Sequence, residues 1–385
     1  MHEPASTSDQ PHLLCVVAAR PNLVKMAPLL AAFASHAPHV RISLVHTGQH
    51  YDTAMDAQLF AELGLRSPDL NLGVGSGSHA RQTADIMLRF EPVLCDLRPT
   101  AVLVVGDVNS TLACALVAAK LATPVIHVEA GLRSGERNMP EEINRMLTDQ
   151  LASLLFTSEA GARDNLLREG VAPERVHFAG NVMIDSLLQQ LPRAVAPAVT
   201  LHTHGHDCPP AFGLLTLHRA SNVDDPGRLT ALLRAMATLS RQLPLLFPIH
   251  PRTLAALQRA RLAPLLADAA IVPLPPLGYL EMLGLMQAAR LVLTDSGGVQ
   301  EETTALRVPC LTLRDSTERP ATVTHGSNTL AGTDPQTILA LARQLLASDV
   351  RIRHAAMLEH WDGHAALRIA SVCAPWLERQ LAPGA

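Results

Sequence analysis

Apolar residues along this chain alternate between short unbroken runs and longer stretches in which they recur every three or four positions. Residues 13–19 (LLCVVAA) form such a run, stop at Arg20-Pro21, and give way to helical spacing over 23–33. A run of Leu, Val and Ala with no polar face predicts a strand buried on both sides, then a turn and a covering helix. The pattern returns at 42–47, at 101–105 with a helix reaching Lys120, at 124–128 and at 154–157. Strands bounded by helices in this succession predict a parallel sheet covered on both faces.

The rhythm pauses over 191–210 (LPRAVAPAVTLHTHGHDCPP), where four prolines interrupt any period. It restarts with apolar runs at 213–217, 245–249, 271–272, 291–294 and 308–313 and a helix over 228–243. The prediction is an α/β protein of two doubly wound halves: a short N-terminal tail over 1–11, a first domain over 12–190, a linker over 191–210, and a second domain over 211–365. A C-terminal helix over 366–385 is free to pack back on the first domain. Two such halves create a cleft facing the carboxyl ends of both sheets, where ligands of open α/β folds bind.

The length of 385 residues suits two domains at roughly 150 residues each. Lys and Arg number 31 against 35 Asp and Glu, a formal net charge of -4, which argues against a general nucleic-acid binder. With only eleven aromatic residues there are few rings for stacking bases. Apolar runs end well before the roughly 18 residues of a membrane span. The N-terminus, MHEPASTSDQPH, has no basic leader or cleavable apolar core, and the six cysteines show no CxxC spacing, so a reducing, cytoplasmic location is expected.

Five loops that follow predicted strands carry polar chemistry. Arg20 and Lys25 stand at a helix start already biased toward anions, or are ordinary surface cations. Asp107, in VGDVNST, reads as a functional carboxylate or as a helix N-cap. The segment HVEAGLRSGERNMPEEINR brings Glu129 to a strand end, where an unpaired charge is costly, and Glu141 with Glu142 to a helix start, where one of them is simple dipole decoration. His218 beside Arg219 suits a negative ligand or a packing role. In TDSGGVQEE, the amides at Ser296, Gly297 and Gly298 suit a diphosphate, and Glu302, one turn into the helix, suits a ribose diol. RDSTERP adds a further cation.

These loops resemble the non-hydrolysing UDP-N-acetylglucosamine 2-epimerases. The matching blocks are ARPNLVKMAPLL, HTGQHYD, VVGDVNSTLA, HVEAGLRSGERNMPEEINR, AGNVMIDSL, TLHRASN, FPIHPR, LTDSGGVQEE and RDSTERP, in the same order over about 300 residues. The resemblance implies two Rossmann-like domains of glycosyltransferase-B type, usually dimeric, with UDP-N-acetylglucosamine or UDP in the interdomain cleft and no cofactor or metal. It implies acid/base roles for Asp107, Glu129, Glu141 and His218. Substrate contacts carry over to Arg20, Lys25, Arg145, Ser296, Gly297, Gly298, Glu302 and Arg319. The implied reaction eliminates UDP to give 2-acetamidoglucal and re-adds it on the other face, supplying UDP-N-acetylmannosamine for a polysaccharide. The C2 proton is not acidic, so a base near C2 must act as the C1 bond to UDP breaks, and cations must meet the charge that develops on UDP.

A glycosyltransferase of the same architecture would share the nucleotide site without needing three carboxylates, a sensor would need no acid or base, and a hydrolysing epimerase would release free N-acetylmannosamine. Gln49 and His50 match a loop that binds a second, activating UDP-N-acetylglucosamine in some family members, whereas the downstream GVGSGSHARQT matches its basic partner poorly. His202, His204 and His206 with Cys208 lie outside the resemblance. If extended, that segment would put three imidazoles on one side, as a zinc or nickel site would need; the plainer reading is a solvated His-rich linker.

Overall fold

The computed structural model describes residues 10–48, 53–347 and 358–381. The chain divides into two units, one running to Ser186 and resuming at Glu359, the other spanning Leu187–Leu358.

The first unit is built on a seven-stranded sheet of β1 (His12–Val17), β2 (Arg41–His46), β3 (Leu70–Asn71), β4 (Ala101–Val105), β5 (Val125–Ala130), β6 (Leu154–Thr157) and β7 (Val176–Phe178), in the order β3-β2-β1-β4-β5-β6-β7. The second holds a six-stranded sheet of β8 (Gly213–Thr216), β9 (Leu245–Pro248), β10 (Ile271–Leu274), β11 (Leu291–Thr294), β12 (Cys310–Thr312) and β13 (Asn328–Leu330), in the order β10-β9-β8-β11-β12-β13. Every pairing is parallel. Both units are therefore doubly wound and Rossmann-like, as the alternating pattern predicts. All residues of β1, β4 and β5 are buried, which explains their unbroken apolar character.

In each sheet the strand order reverses beside the first strand, between β1 and β4 and between β8 and β11. The crevice outside the carboxyl ends at such a switch point is where open α/β sheets bind ligands.

One reading of the sequence needs correcting, and the condition it set for a histidine metal site is not met. The segment 191–210 is not an irregular linker: Pro197 starts a helix, Pro197–Thr203, whose Thr200 and Leu201 are fully buried. The segment is held to the helix Tyr279–Ala288 by the Val195 amide, which donates to Leu280 O at 3.1 Å. Nor is the histidine segment extended. His202 lies in the helix and His204 at its C-cap, so no period-two edge aligns the imidazoles. Among the described residues no group of three or more His, Cys, Asp or Glu is placed to hold a metal ion.

After Glu359 the chain packs on the first unit. Trp361 Nε1 donates to Ser158 O at 2.9 Å, and Asp185 caps the helix Ala365–Leu381 through the amides of Ala365 (3.2 Å) and Ala366 (2.7 Å). No helix among the described residues is long and apolar enough to cross a membrane.

Candidate active site

The candidate residues fall into two groups, one at the carboxyl ends of each sheet. In the first unit, β4 ends at Val105 and Gly106 turns the chain with φ 74°. A Cβ on Gly106 would lie in ordinary contact with Lys25 Nζ at 3.5 Å and Glu129 Oε2 at 3.9 Å, so it is the positive φ that favours glycine here. Asp107 follows. The cap position of the helix Asn109–Lys120 belongs to Val108, so Asp107 is not its N-cap. Its carboxylate instead takes Arg145 Nη1 at 2.5 Å.

Glu129 sits at an irregularity in β5, where the pairing with β6 shifts between Val128 and Ala130, and its own φ is 71°. A bulge with a positive φ re-aims a side chain away from the regular pleat. The Glu129 carboxylate, buried with its residue only 5% exposed, pairs with the Lys25 ammonium, itself 5% exposed. Lys25, expected to face phosphate and sugar, thus has a carboxylate for its partner, as a cation this buried requires.

Arg145 is fully buried on the helix Pro140–Leu151 and bridges two acids. Besides Asp107 it holds Glu142 through Nη2 at 2.5 Å and Nε at 3.1 Å. Glu142 also accepts the amides of Ser134 (3.0 Å) and Gly135 (2.9 Å). Burial pushes the Glu142 carboxyl up, but the Ser134 amide and Arg145 outweigh it and hold the group below its ordinary range. Of the adjacent glutamates, Glu142 is therefore the one locked into the fold, and Glu141 stands half-buried beside it in the first turn. Arg20 is half-buried at the first position of the helix Arg20–His36.

A buried pair that sequence reasoning missed lies beneath these groups. His127 Nδ1 is 2.7 Å from Asp149 Oδ1, and its Nε2 is 2.9 Å from Gly106 O. Asp149 also accepts the Gly131 amide at 3.1 Å and pairs with Arg133 at 2.7 Å. The pair ties the Gly106 turn to the Gly131 turn. The only sequence signal was a histidine and an aspartate inside otherwise core-facing elements, which is unusual enough to demand partners.

In the second unit the register Thr216↔Thr294 sets the ends of β8 and β11 level. His218, with its side chain 38% exposed, lies beside the buried Asp295, Nδ1 to Oδ1 3.0 Å. Ser296 occupies the cap position of the helix Gly297–Leu306 without a side-chain cap bond. A Cβ on Gly297 would come within 2.6 Å of Glu318 Oε1, so a side chain there would have to displace that carboxylate. Glu318 is itself ringed by arginines, with Arg314 at 2.8 Å and Arg219 at 3.3 Å. Burial raises its carboxyl, but Arg319, Arg219 and Arg314 outweigh burial and hold it well below the usual carboxylate range.

Arg319 is buried and pairs with Glu301 at 2.8 Å. Glu302, buried on the same helix, accepts the Tyr279 hydroxyl at 3.0 Å. Burial pushes its carboxyl up to about 7, with the Tyr279 bond opposing and Glu301 reinforcing the rise. Asp295, Glu301, Glu318 and Tyr279 were not singled out from the sequence, because a buried ion-pair partner carries no mark of its own in one dimension. Gln49 and His50 lie outside the described residues.

Comparison with known proteins bears on these groups. Residues 33–374 match the family model for UDP-N-acetylglucosamine 2-epimerase. UDP-N-acetylglucosamine 2-epimerase of Methanococcus maripaludis is 42% identical over 355 residues, covering 90% of this chain and 92% of its own. UDP-2,3-diacetamido-2,3-dideoxy-D-glucuronate 2-epimerase of Pseudomonas aeruginosa is 40% identical over 342 residues, covering 88% of this chain and 93% of its own. Among solved structures, UDP-GlcNAc 2-epimerase of Methanocaldococcus jannaschii, in complex with UDP-GlcNAc and UDP, superposes with a TM-score of 0.87 at 39% identity, covering 94% of this chain and 99% of that one. A match over most of the chain at this identity shows that the protein belongs to the UDP-N-acetylglucosamine 2-epimerase family.

Proposed function

We propose that the protein interconverts UDP-N-acetylglucosamine and UDP-N-acetylmannosamine without hydrolysis, with the carboxylate cluster of the first unit serving proton transfer and the cation-rich loops of the second serving UDP binding. The observation that carries this reading is the pair of strand-end carboxylates, Asp107 and Glu129. Each is held by a buried cation at the ends of adjacent strands, in a chain that belongs to an epimerase family.

A carboxylate held by an ammonium or guanidinium is fixed in orientation, as a group that takes a carbon-bound proton must be. In the proposed sequence one carboxylate removes the C2 proton while the C1 to oxygen bond breaks, leaving 2-acetamidoglucal and UDP. A second acid returns a proton to C2 on the opposite face as UDP re-adds at C1. Glu129, Asp107 and Glu141 are the candidates for these transfers, and His218 exchanges a proton with the departing UDP oxygen. Arg20, Arg319 and the amides at Ser296, Gly297 and Gly298 meet the diphosphate, and Glu302 meets the ribose. Lys25 and Arg145 act as counter-ions of the carboxylates. Preorganised donors aimed at developing charge supply a large share of such a barrier reduction.

The Pseudomonas aeruginosa relative favours a second reading of the sugar: by its name it acts on a diacetamido glucuronate carried by UDP, at nearly the same identity. Both readings keep the chemistry at C2. The test is to offer each sugar nucleotide separately and resolve the products. The proposal expects UDP-N-acetylmannosamine from UDP-N-acetylglucosamine, at equilibrium with it and with no free sugar. Free N-acetylmannosamine with UDP would show a hydrolysing enzyme, and turnover of the diacetamido glucuronate alone would establish the second reading.

A further inference from the structure

We propose that Asp295 is the positioning residue of His218, fixing its Nδ1 as a hydrogen-bond donor so that Nε2 is the nitrogen presented for proton transfer. The inference rests on the reading of His218 as a proton-transfer group and adds the residue through which that group is set.

The geometry follows from the sheet. Asp295 comes directly after β11 and His218 two residues after β8, and these neighbours are in register at Thr216↔Thr294, where the two threonine hydroxyls meet at 2.6 Å. The Asp295 carboxylate is therefore delivered under the β8 loop and is fully buried. Four N–H groups converge on it: the His218 amide at 3.1 Å, the Arg219 amide at 3.0 Å, Asn222 Nδ2 at 3.2 Å, and His218 Nδ1 at 3.0 Å. Asn222 is itself anchored by a second bond, to Leu313 O at 2.9 Å.

A carboxylate in this setting is an acceptor. Burial pushes the Asp295 carboxyl up, but the bond from the His218 imidazole, its charge and the two backbone amides outweigh burial and keep the group below its ordinary range. An ionised carboxylate accepts only, so the ring nitrogen facing it must carry the hydrogen. A neutral His218 then has its lone pair on Nε2, on a side chain 38% exposed while its partner is 0% exposed. The nearest other ring is His250, at 5.5 Å between centroids, and its Nδ1 is engaged by the Arg252 amide at 3.2 Å.

The plainer account is that Asp295 merely ties the β8 and β11 loops together by accepting two amides. The two accounts differ in what happens when the imidazole is removed. If Asp295 acts through His218, Asp295→Asn and His218→Ala are not additive. If it is a structural tie, their losses multiply.

The experiment measures kcat, KM and UDP affinity for wild type, His218→Ala, Asp295→Asn and the double variant. The expected result is a loss in kcat of at least about a hundredfold for each single variant, typical of a lost acid or base. The double variant should be no more than about threefold below His218→Ala, with UDP affinity within about threefold of wild type throughout. An Asp295→Asn variant with more than a third of wild-type kcat, beside an inactive His218→Ala, overturns the role of Asp295 alone, as do multiplicative losses. A fully active His218→Ala overturns the parent reading and this one with it. Should Asp295→Asn fail to fold, nitrogen-15 chemical shifts of labelled histidine in the wild-type protein, assigned by difference from His218→Ala, decide the matter. In spectra taken at a pH where the ring is neutral, hydrogen on Nδ1 is expected, and hydrogen on Nε2 alone contradicts the proposal.

Discussion

Glu129 is the residue at which backbone and chemistry meet. A φ of 71° is uncommon outside glycine and costs on the order of 1 kcal/mol or more, yet here it turns a carboxylate from the strand pleat onto Lys25. Glu129→Gln preserves shape and removes the charge. UDP should bind with little loss while turnover falls at least about a hundredfold. A variant retaining more than a tenth of wild-type turnover takes Glu129 out of the mechanism. Glu302 supplies a pH test on the free protein. Its carboxyl is raised by burial to about 7 from 4.5, so the folded state holds the proton more tightly than the unfolded chain. Stability is then lost as pH rises through that window, by about 2–3 kcal/mol between pH 5 and pH 8. Glu302→Gln should flatten the dependence in urea unfolding measured at both pH values, and parallel curves for the two proteins contradict it. The strand-end positions of Asp107, Glu129 and His218 were legible in the sequence because a charge closing an apolar run stands out. Their partners were not, because Arg145 lies 38 residues from Asp107 and Asp295 lies 77 from His218, distances only the fold closes.

At the level of elements, the ten apolar runs of the sequence correspond to the strands inside each sheet and one at an edge. The strands it left out, β3, β7 and β13, are all edge strands of two or three residues. A strand that short at an edge has too few buried positions to form a run, so its sequence resembles a loop. The segment 191–210 failed differently: its prolines were read as breakers, although Pro197 sits at the first turn of a helix, where proline is welcome. The return of the chain after Glu359 depends on one glycine. Gly180 has φ 94°, and a Cβ there would lie 2.0 Å from the carbonyl oxygen of His360. Gly180→Ala should lower stability by at least about 2 kcal/mol, because the carbonyl is backbone and cannot swing aside. Thermal or urea unfolding of the two proteins measures this, and an unchanged midpoint would show that the 359–381 segment is not held as described.

For the whole molecule, membership of the UDP-N-acetylglucosamine 2-epimerase family directs the test to C2 of the sugar. The central claim concerns the C2 proton, and it is tested most directly by incubating the protein with UDP-N-acetylglucosamine in deuterium oxide and examining the recovered sugar nucleotides by NMR. The account predicts deuterium at C2 in the newly formed UDP-N-acetylmannosamine. Protium retained at C2 in that product, or no second epimer at all, would contradict it.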